Sequence, residues 1–307
     1  DTELVPYVQK CLADEQMHGV TSAILLYPLL FRGSPDAMTI ATAACGATSQ
    51  TDAYLVGPIA QAGLTIAYAC AGELDQARDA LAAVDRSHTG DLRLDSFIGR
   101  AQAAVASLEG RYDEAARIVA DAGRLCIAGT YEYFGVVALY DAVRCWRADL
   151  VVDELRPLAG PDAAPLVDVM AAHAIAQHAG DADAIVQVAT RLAGMGARTL
   201  VAEALDDAAR IFDDEVASGR AATAAELWRR STPVPNARAR RSARPVSDRE
   251  IDVLDLALAG HTSKAIAETL FLSVRTVDNH LAQVYRKLAV NGRAALTDAL
   301  APLPLSG

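Results

Sequence analysis

The sequence predicts an all-α protein in which a stack of helical hairpins is followed by a compact four-helix unit. Three observations carry this. Aromatic residues make up only 5% of the chain, against 52% hydrophobic residues overall, and a core drawn so largely from Ala and other small helix formers favours close-packed helices over sheets. Apolar residues recur every three or four positions in paired segments, with Gly at the breaks. The C-terminal segment alternates helix-start signals with apolar stripes of helical period. With 307 residues, the chain has length for about two domains.

Residues 1–230 form the predicted hairpin body. Segment 60–71 runs into Gly72-Glu73-Leu74-Asp75, and segment 101–109 into Gly110-Arg111-Tyr112-Asp113. Gly accepts the left-handed conformation that ends a helix, and the acidic residues meet the positive end of the next one. A looser third pair covers 166–178 and, after Gly180-Asp181, reaches Met195. A fourth covers 200–216 and, after Gly219, reaches Arg230. A spacing of about 35 to 40 residues predicts a short right-handed stack; an irregular helical domain without a superhelix is the competing arrangement. A stack of this kind leaves a concave face for a peptide, a ligand or another domain, and the sequence names none of them.

Residues 231–245 carry three Pro and four Arg without apolar periodicity. They read as a flexible linker spanning about 20 Å root-mean-square, its arginines serving either a solvated hinge or a phosphate. The net charge of −11 conceals an asymmetry along the chain. From Arg238 onward ten Lys and Arg stand against seven Asp and Glu, a net of +3, so the residues before it carry −14. Only the tail can bear a nucleic-acid footprint. No apolar run approaches the length of a membrane span, and the start lacks the order of a signal peptide, so a soluble cytoplasmic protein without a membrane partner is expected. The chain opens on Asp1 and not on Met, so further protein is expected to have stood upstream. Cys11, Cys45, Cys70, Cys126 and Cys145 are scattered without a CxxC pair, which predicts buried, reduced thiols, neither zinc-bound nor disulfide-linked.

Residues 246–307 hold the specific chemistry. Ser247-Asp248-Arg249-Glu250 is a capping box opening a first helix, with Ile251, Leu254 and Leu258 on its core face and Gly260 at its end. Thr262 caps a second helix, in which Ile266, Ala267 and Leu270 repeat at helical spacing, and Ser263 and Lys264 stand in the exposed first turn. After Phe271-Leu272, Ser273 caps a third helix whose stripe of Val274, Val277, Leu281, Val284 and Leu288 is predicted to be buried. At 100° per residue, Arg275, Asn279, Ala282, Gln283 and Arg286 fall on the opposite side, flanked by Thr276, Asp278 and His280. A helix of major-groove width showing Arg, Asn and Gln outward can read base edges, Arg pairing with guanine and Asn or Gln with adenine. Its N-terminus, with the Ser273 and Thr276 hydroxyls, can meet a phosphate.

The segment VSDREIDVLDLALAGHTSKAIAETLFLSVRTVDNHLAQVYRKLAVNGRAAL resembles the LuxR-type helix-turn-helix domain, with the helix-turn-helix over about 262–288. The resemblance implies that the third helix enters the major groove while the second helix and turn grip the backbone. It further implies phosphate contacts from Lys264 and Thr276, and base-side positions for Arg275, Asp278, Asn279 and Gln283. A homodimer on DNA is implied through the fourth helix, at Arg293, Leu296, Ala299 and Leu300. Two departures stand out: Ala265 where many members have Glu, and Asp278 where many have Lys. A negative charge at 278 either weakens phosphate attraction or accepts from a cytosine amino group.

The body, in AYACAGELDQARDAL and ASLEGRYDEAARIV, resembles tetratricopeptide-type repeats. Together with GDADAIVQVATRLAGMGARTLVAEALDDAARIF, the chain is similar to the C-terminal part of the large ATP-binding LuxR-type regulators, which implies an upstream ATPase domain. The chain itself lacks GxxxxGK[ST] and a Gly-x-Ser-x-Gly elbow, and His173 and His178 stand five apart, off a common face. The reading is therefore a non-enzymatic transcription regulator of duplex DNA without cofactor or metal. The competing reading makes the repeats the working part, a scaffold or ligand-sensing module with a weak or vestigial DNA-binding tail.

Overall fold

Helices are the regular elements of the computed structural model, which describes residues 29–50, 56–84, 91–232 and 245–300 together with Tyr27, Asn236 and Leu303. In chain order they are α1 (Asp36–Gln50), α2 (Gly57–Ala71), α3 (Leu74–Ala82), α4 (Leu92–Leu108), α5 (Tyr112–Ala128), α6 (Glu132–Arg144) and the single turn α7 (Val152–Leu155). There follow α8 (Pro165–Ala179), α9 (Ala182–Gly194), α10 (Arg198–Ile211) and α11 (Glu215–Ser231). The tail adds α12 (Asp248–Leu258), α13 (Ser263–Leu270), α14 (Val274–Lys287) and α15 (Arg293–Leu300).

Most helix ends close in one way, because one geometry satisfies the last carbonyls. At Gly72, Gly110, Thr130, Trp146 and Gly196 the backbone turns left-handed. The next amide then reaches back to the helix, as in Glu73 to the Tyr68 carbonyl at 3.0 Å, Arg111 to Ala106 at 2.8 Å and Arg147 to Ala142 at 3.1 Å. Gly72, Gly110, Trp146 and Gly180 recur at 38, 36 and 34 residues. Asp181 caps α9 by accepting from the Ala184 amide at 2.9 Å. The fourth predicted pair breaks elsewhere than at Gly219. Asp214 receives the Ala217 amide at 2.6 Å and opens α11 there, leaving Gly219 inside the helix. A Cβ on Gly219 would lie 2.9 Å from Pro245 Cγ, so the bare Cα is used for packing and not for a turn.

Contacts group α1 to α8 in one compact unit and α9 to α11 with the tail helices in a second. In the first, α5 and α6 approach until their backbones touch: a Cβ on Gly123 would lie 2.9 Å from the Gly135 carbonyl, and one on Gly135 2.8 Å from the Gly123 carbonyl. Asp141 of α6 accepts from Arg100 of α4 and from Arg144, both at 2.7 Å and all three nearly excluded from water. The Arg100 guanidinium also lies over the Tyr27 ring, 4.9 Å from its centroid. Gln177 of α8 donates to the Val143 carbonyl at 3.0 Å and accepts from the Ala148 amide at 3.1 Å, tying α8 to the end of α6. In the second unit, Arg229 of α11 donates to Asp206 of α10 at 2.5 Å and to Glu226 at 2.9 Å.

Cys70, Cys126 and Cys145 are buried and Cys45 is partly so, all four as free thiols. Burial pushes the Cys45 thiol up to about 11 and raises that of Cys126 as well, so neither is a ready thiolate near neutral pH. Among the described residues no group of three or more His, Cys, Asp or Glu is placed to hold a metal ion, and no helix is long and apolar enough to cross a membrane. Cys11, His18, His88 and most of the expected linker, 233–235 and 237–244, lie outside the described residues.

Candidate nucleic-acid interface

The tail assembles from its caps inward. The Ser247 hydroxyl accepts from the Glu250 amide while Glu250 takes the Ser247 amide at 2.7 Å, the reciprocal box that starts α12. Gly260, left-handed at φ +87°, ends it. Thr262 then caps α13 by accepting from the Ala265 amide at 3.2 Å, so Ala265 leaves this cap intact. Phe271 takes a left-handed conformation with φ 55°, and Ser273 caps α14, accepting from the Thr276 amide at 3.1 Å. The two hydroxyls of Ser273 and Thr276 also bond each other at 2.8 Å.

Val253 and Ala257 of α12, Ile266 and Ala267 of α13, and Val277 and Leu281 of α14 form the shared core. Val284 and Leu288 continue the buried stripe of α14. Val274 does not: it stands 43% exposed at the first helical position, and cover of the stripe begins a turn later, at Val277. Phe271 is 95% exposed, a large apolar side chain on the outside of the turn that spacing alone did not single out.

The outward edge of α14 is as the periodicity places it. Arg275, Asp278, Asn279, Gln283 and Arg286 are exposed, and Thr276 and His280 are half-buried beside them. Lys264 and Thr262 are exposed at the start of α13, with Ser263 half-buried. Lys264, Arg275, Asp278, Asn279 and His280 have no side-chain hydrogen bond or ion pair within the described residues. Gln283 and Arg286 bond each other. On α15, Leu296 and Leu300 are 1% and 0% exposed: the chain's own packing consumes the two leucines expected at a dimer contact. Arg293 donates to the His261 carbonyl at 2.6 Å and Ala299 is half-buried, while Ala294, Thr297 and Asp298 are exposed.

Basic side chains brace this unit from positions that the sequence reading passed over. Arg249 donates to the Leu270 carbonyl at the end of α13, at 2.8 Å. Lys287 meets both oxygens of the buried Glu250 carboxylate, at 2.8 and 2.6 Å, joining the end of α14 to the start of α12. Burial acts to raise the Glu250 pKa, but the hydrogen bonds from Lys287 and Ser247 outweigh it and hold the carboxyl below the usual carboxylate range. A depressed folded-state pKa stabilises above the unfolded value, about 4.3, and that contribution is lost as pH falls through the folded one. Glu250→Gln should therefore lower the stability of the tail by about 1 to 2 kcal/mol at pH 7, with the deficit closing as pH falls below the unfolded value. Thermal unfolding across that range checks this; curves that stay parallel into acid would remove the ion pair from the account.

Three packed helices, a sharp turn between the second and third, and a solvated Arg/Asn/Gln edge on the third define a helix-turn-helix unit. Residues 244–300 match the bacterial regulatory proteins of the luxR family, and this C-terminal part of the chain is a luxR-family helix-turn-helix domain. Over 53 residues, 17% of the chain, it is 43% identical to a Pseudomonas aeruginosa protein that carries the name of a transcriptional regulator. Over 49 residues, 16% of the chain, it is 41% identical to the spore germination protein GerE of Bacillus subtilis. The matched stretch spans 26% of the first relative and 66% of the second. No solved structure matches the chain.

Proposed function

We propose that the chain regulates transcription by laying α14 in the major groove of duplex DNA, with the helical hairpins receiving the signal. The observation that carries this is the outward edge of α14, whose Arg275 and Asn279 are exposed and hold no side-chain partner among the described residues, while the opposite stripe anchors the helix. Lys264 and Thr276, with Thr262, Ser263 and Ser273, are assigned to phosphates. Arg275, Asp278, Asn279, His280, Gln283 and Arg286 are assigned to the base side, Arg275 suiting guanine and Asn279 adenine. Asp278 retains its two readings, as a repulsive charge or as an acceptor from cytosine.

The recurrent left-handed closures support a tetratricopeptide-like stack that binds a peptide, a ligand or an upstream ATPase domain. A homodimer on DNA would meet across the exposed Ala294, Thr297 and Asp298 of α15, since Leu296 and Leu300 are already buried. The protein in this reading is a cytoplasmic, non-enzymatic regulator.

The test uses the whole chain and duplex DNA at several salt concentrations. The logarithm of affinity should fall linearly with the logarithm of salt, with a slope that counts several phosphates. A folded chain without salt-dependent binding would leave the scaffold reading in its place.

A further inference from the structure

We propose that α11, the last helix of the hairpin body, belongs to the DNA-reading machinery, and that Arg220 on it is a positioning residue for α14. The inference rests on the DNA-reading role of α14 and adds what holds that helix in place. Carbonyls at a helix C-terminus lack intrahelical donors and carry the negative end of the helix dipole. At the end of α14 they are not left to water. The Arg220 guanidinium donates to the Leu288 carbonyl from Nε at 3.1 Å and from Nη2 at 2.9 Å, and to the Ala289 carbonyl at 3.3 Å. Ala289 is left-handed, with φ 51°, a conformation that a residue with a Cβ holds only where its surroundings enforce it.

The same helix grips the start of the domain. Arg230, one end of α11, pairs with Asp248 at 2.9 Å and with Asp252, both on α12. Gly219, near the other end, leaves room for Pro245, the residue before the buried Val246. Arg220 lies beside Gly219, so α11 holds the entry to α12 and the exit of α14 at once.

The lever arm makes this matter for recognition. A helix of 14 residues is about 21 Å long. A tilt of about 10° at its C-terminal end displaces the first turn, where Arg275 stands, by about 3.5 Å, and a hydrogen bond to a base edge survives only a few tenths of an ångström. A guanidinium fixed on two carbonyls removes that freedom. A change in the α10–α11 hairpin thereby reaches the reading helix directly, without passing through residues 232–244.

The experiment compares the full chain with its Arg220→Ala and Arg220→Lys variants. One probe is a duplex of about 20 base pairs enriched from a randomised pool by the wild-type chain; the other is the unselected pool. Arg220→Ala should accelerate amide hydrogen exchange at residues 286–290 by about tenfold and lower the preference for the enriched duplex by about tenfold. The salt slope and the unfolding midpoint should stay near those of the wild type. Arg220→Lys should fall between the two, because an ammonium cannot span two carbonyls as the guanidinium fork does. Unchanged exchange at 286–290, or an unchanged preference for the enriched duplex, would overturn the proposal. Failure of the wild type to bind any duplex would instead sink the DNA reading of α14, and the exchange comparison would still decide whether Arg220 fixes the helix end.

Discussion

Asn279→Ala should cut the preference of the protein for its enriched duplex over random sequence by about 1 to 3 kcal/mol, roughly 5- to 150-fold. Asn279 is exposed on α14 with no side-chain partner among the described residues, so the substitution should leave folding within about 0.5 kcal/mol of the wild type. An amide bonded to an adenine edge distinguishes sequences; an Ala does not. Lys264→Ala is the matched contrast. Its ammonium, exposed in the first turn of α13, is a point charge suited to a phosphate, so its removal should weaken enriched and random duplex alike and reduce the salt slope by about one. Competition binding with both duplexes separates these outcomes. An equal loss on both duplexes for Asn279→Ala would remove that residue from base reading.

Asp141→Ala should be among the most damaging substitutions in the hairpin body, at about 3 to 5 kcal/mol. The carboxylate is nearly excluded from water and accepts from two equally buried guanidiniums, Arg100 at 2.7 Å and Arg144 at 2.7 Å. Without it the Arg100 guanidinium is left with the Tyr27 ring, and two positive charges face each other in a medium that screens them poorly. In a unit of this size the loss should lower the unfolding midpoint by about 10 °C. Replacing Arg100, Asp141 and Arg144 together with apolar residues of similar volume should recover much of it, because the damage comes from stranded charge and not from lost volume. A single Asp141→Ala variant melting within 2 to 3 °C of the wild type, about 1 kcal/mol, would contradict this.

Legibility in the sequence followed the chemistry of helix ends. Where a hairpin closes on Gly, at Gly72, Gly110 and Gly180, the break was readable because Gly announces a left-handed turn. The helices α5 and α6 meet at Thr130, and α6 ends at Trp146, both left-handed with side chains attached; neither residue type advertises such a turn, although Gly129 stands just before the first of them. Gly219 misled for the converse reason: it serves the close approach of Pro245 within α11, and its bare Cα looks the same in sequence whichever purpose it serves.

In the tail, both caps and the outward edge of α14 were legible because each depends on neighbours within one turn. Val274 was not, since whether the first residue of a stripe is covered depends on where the facing helices stand. The braces of Lys287 on Glu250 and of Arg220 on Leu288 link residues 37 and 68 apart in sequence. No periodicity spans that distance, and only the folded chain brings them together.

Among the described residues, Lys264, Arg275, Asn279 and His280 have no side-chain partners, which bears on the kinetics of the proposed docking. A duplex arriving at this edge displaces hydration water and, among the described residues, opens no ion pair; the side-chain bonds it would exchange are those of Gln283 with Arg286 and of Ser273 with Thr276. Encounter should therefore be followed by little internal rearrangement, and differences between operators should appear chiefly in how long the complex lasts and not in how fast it forms.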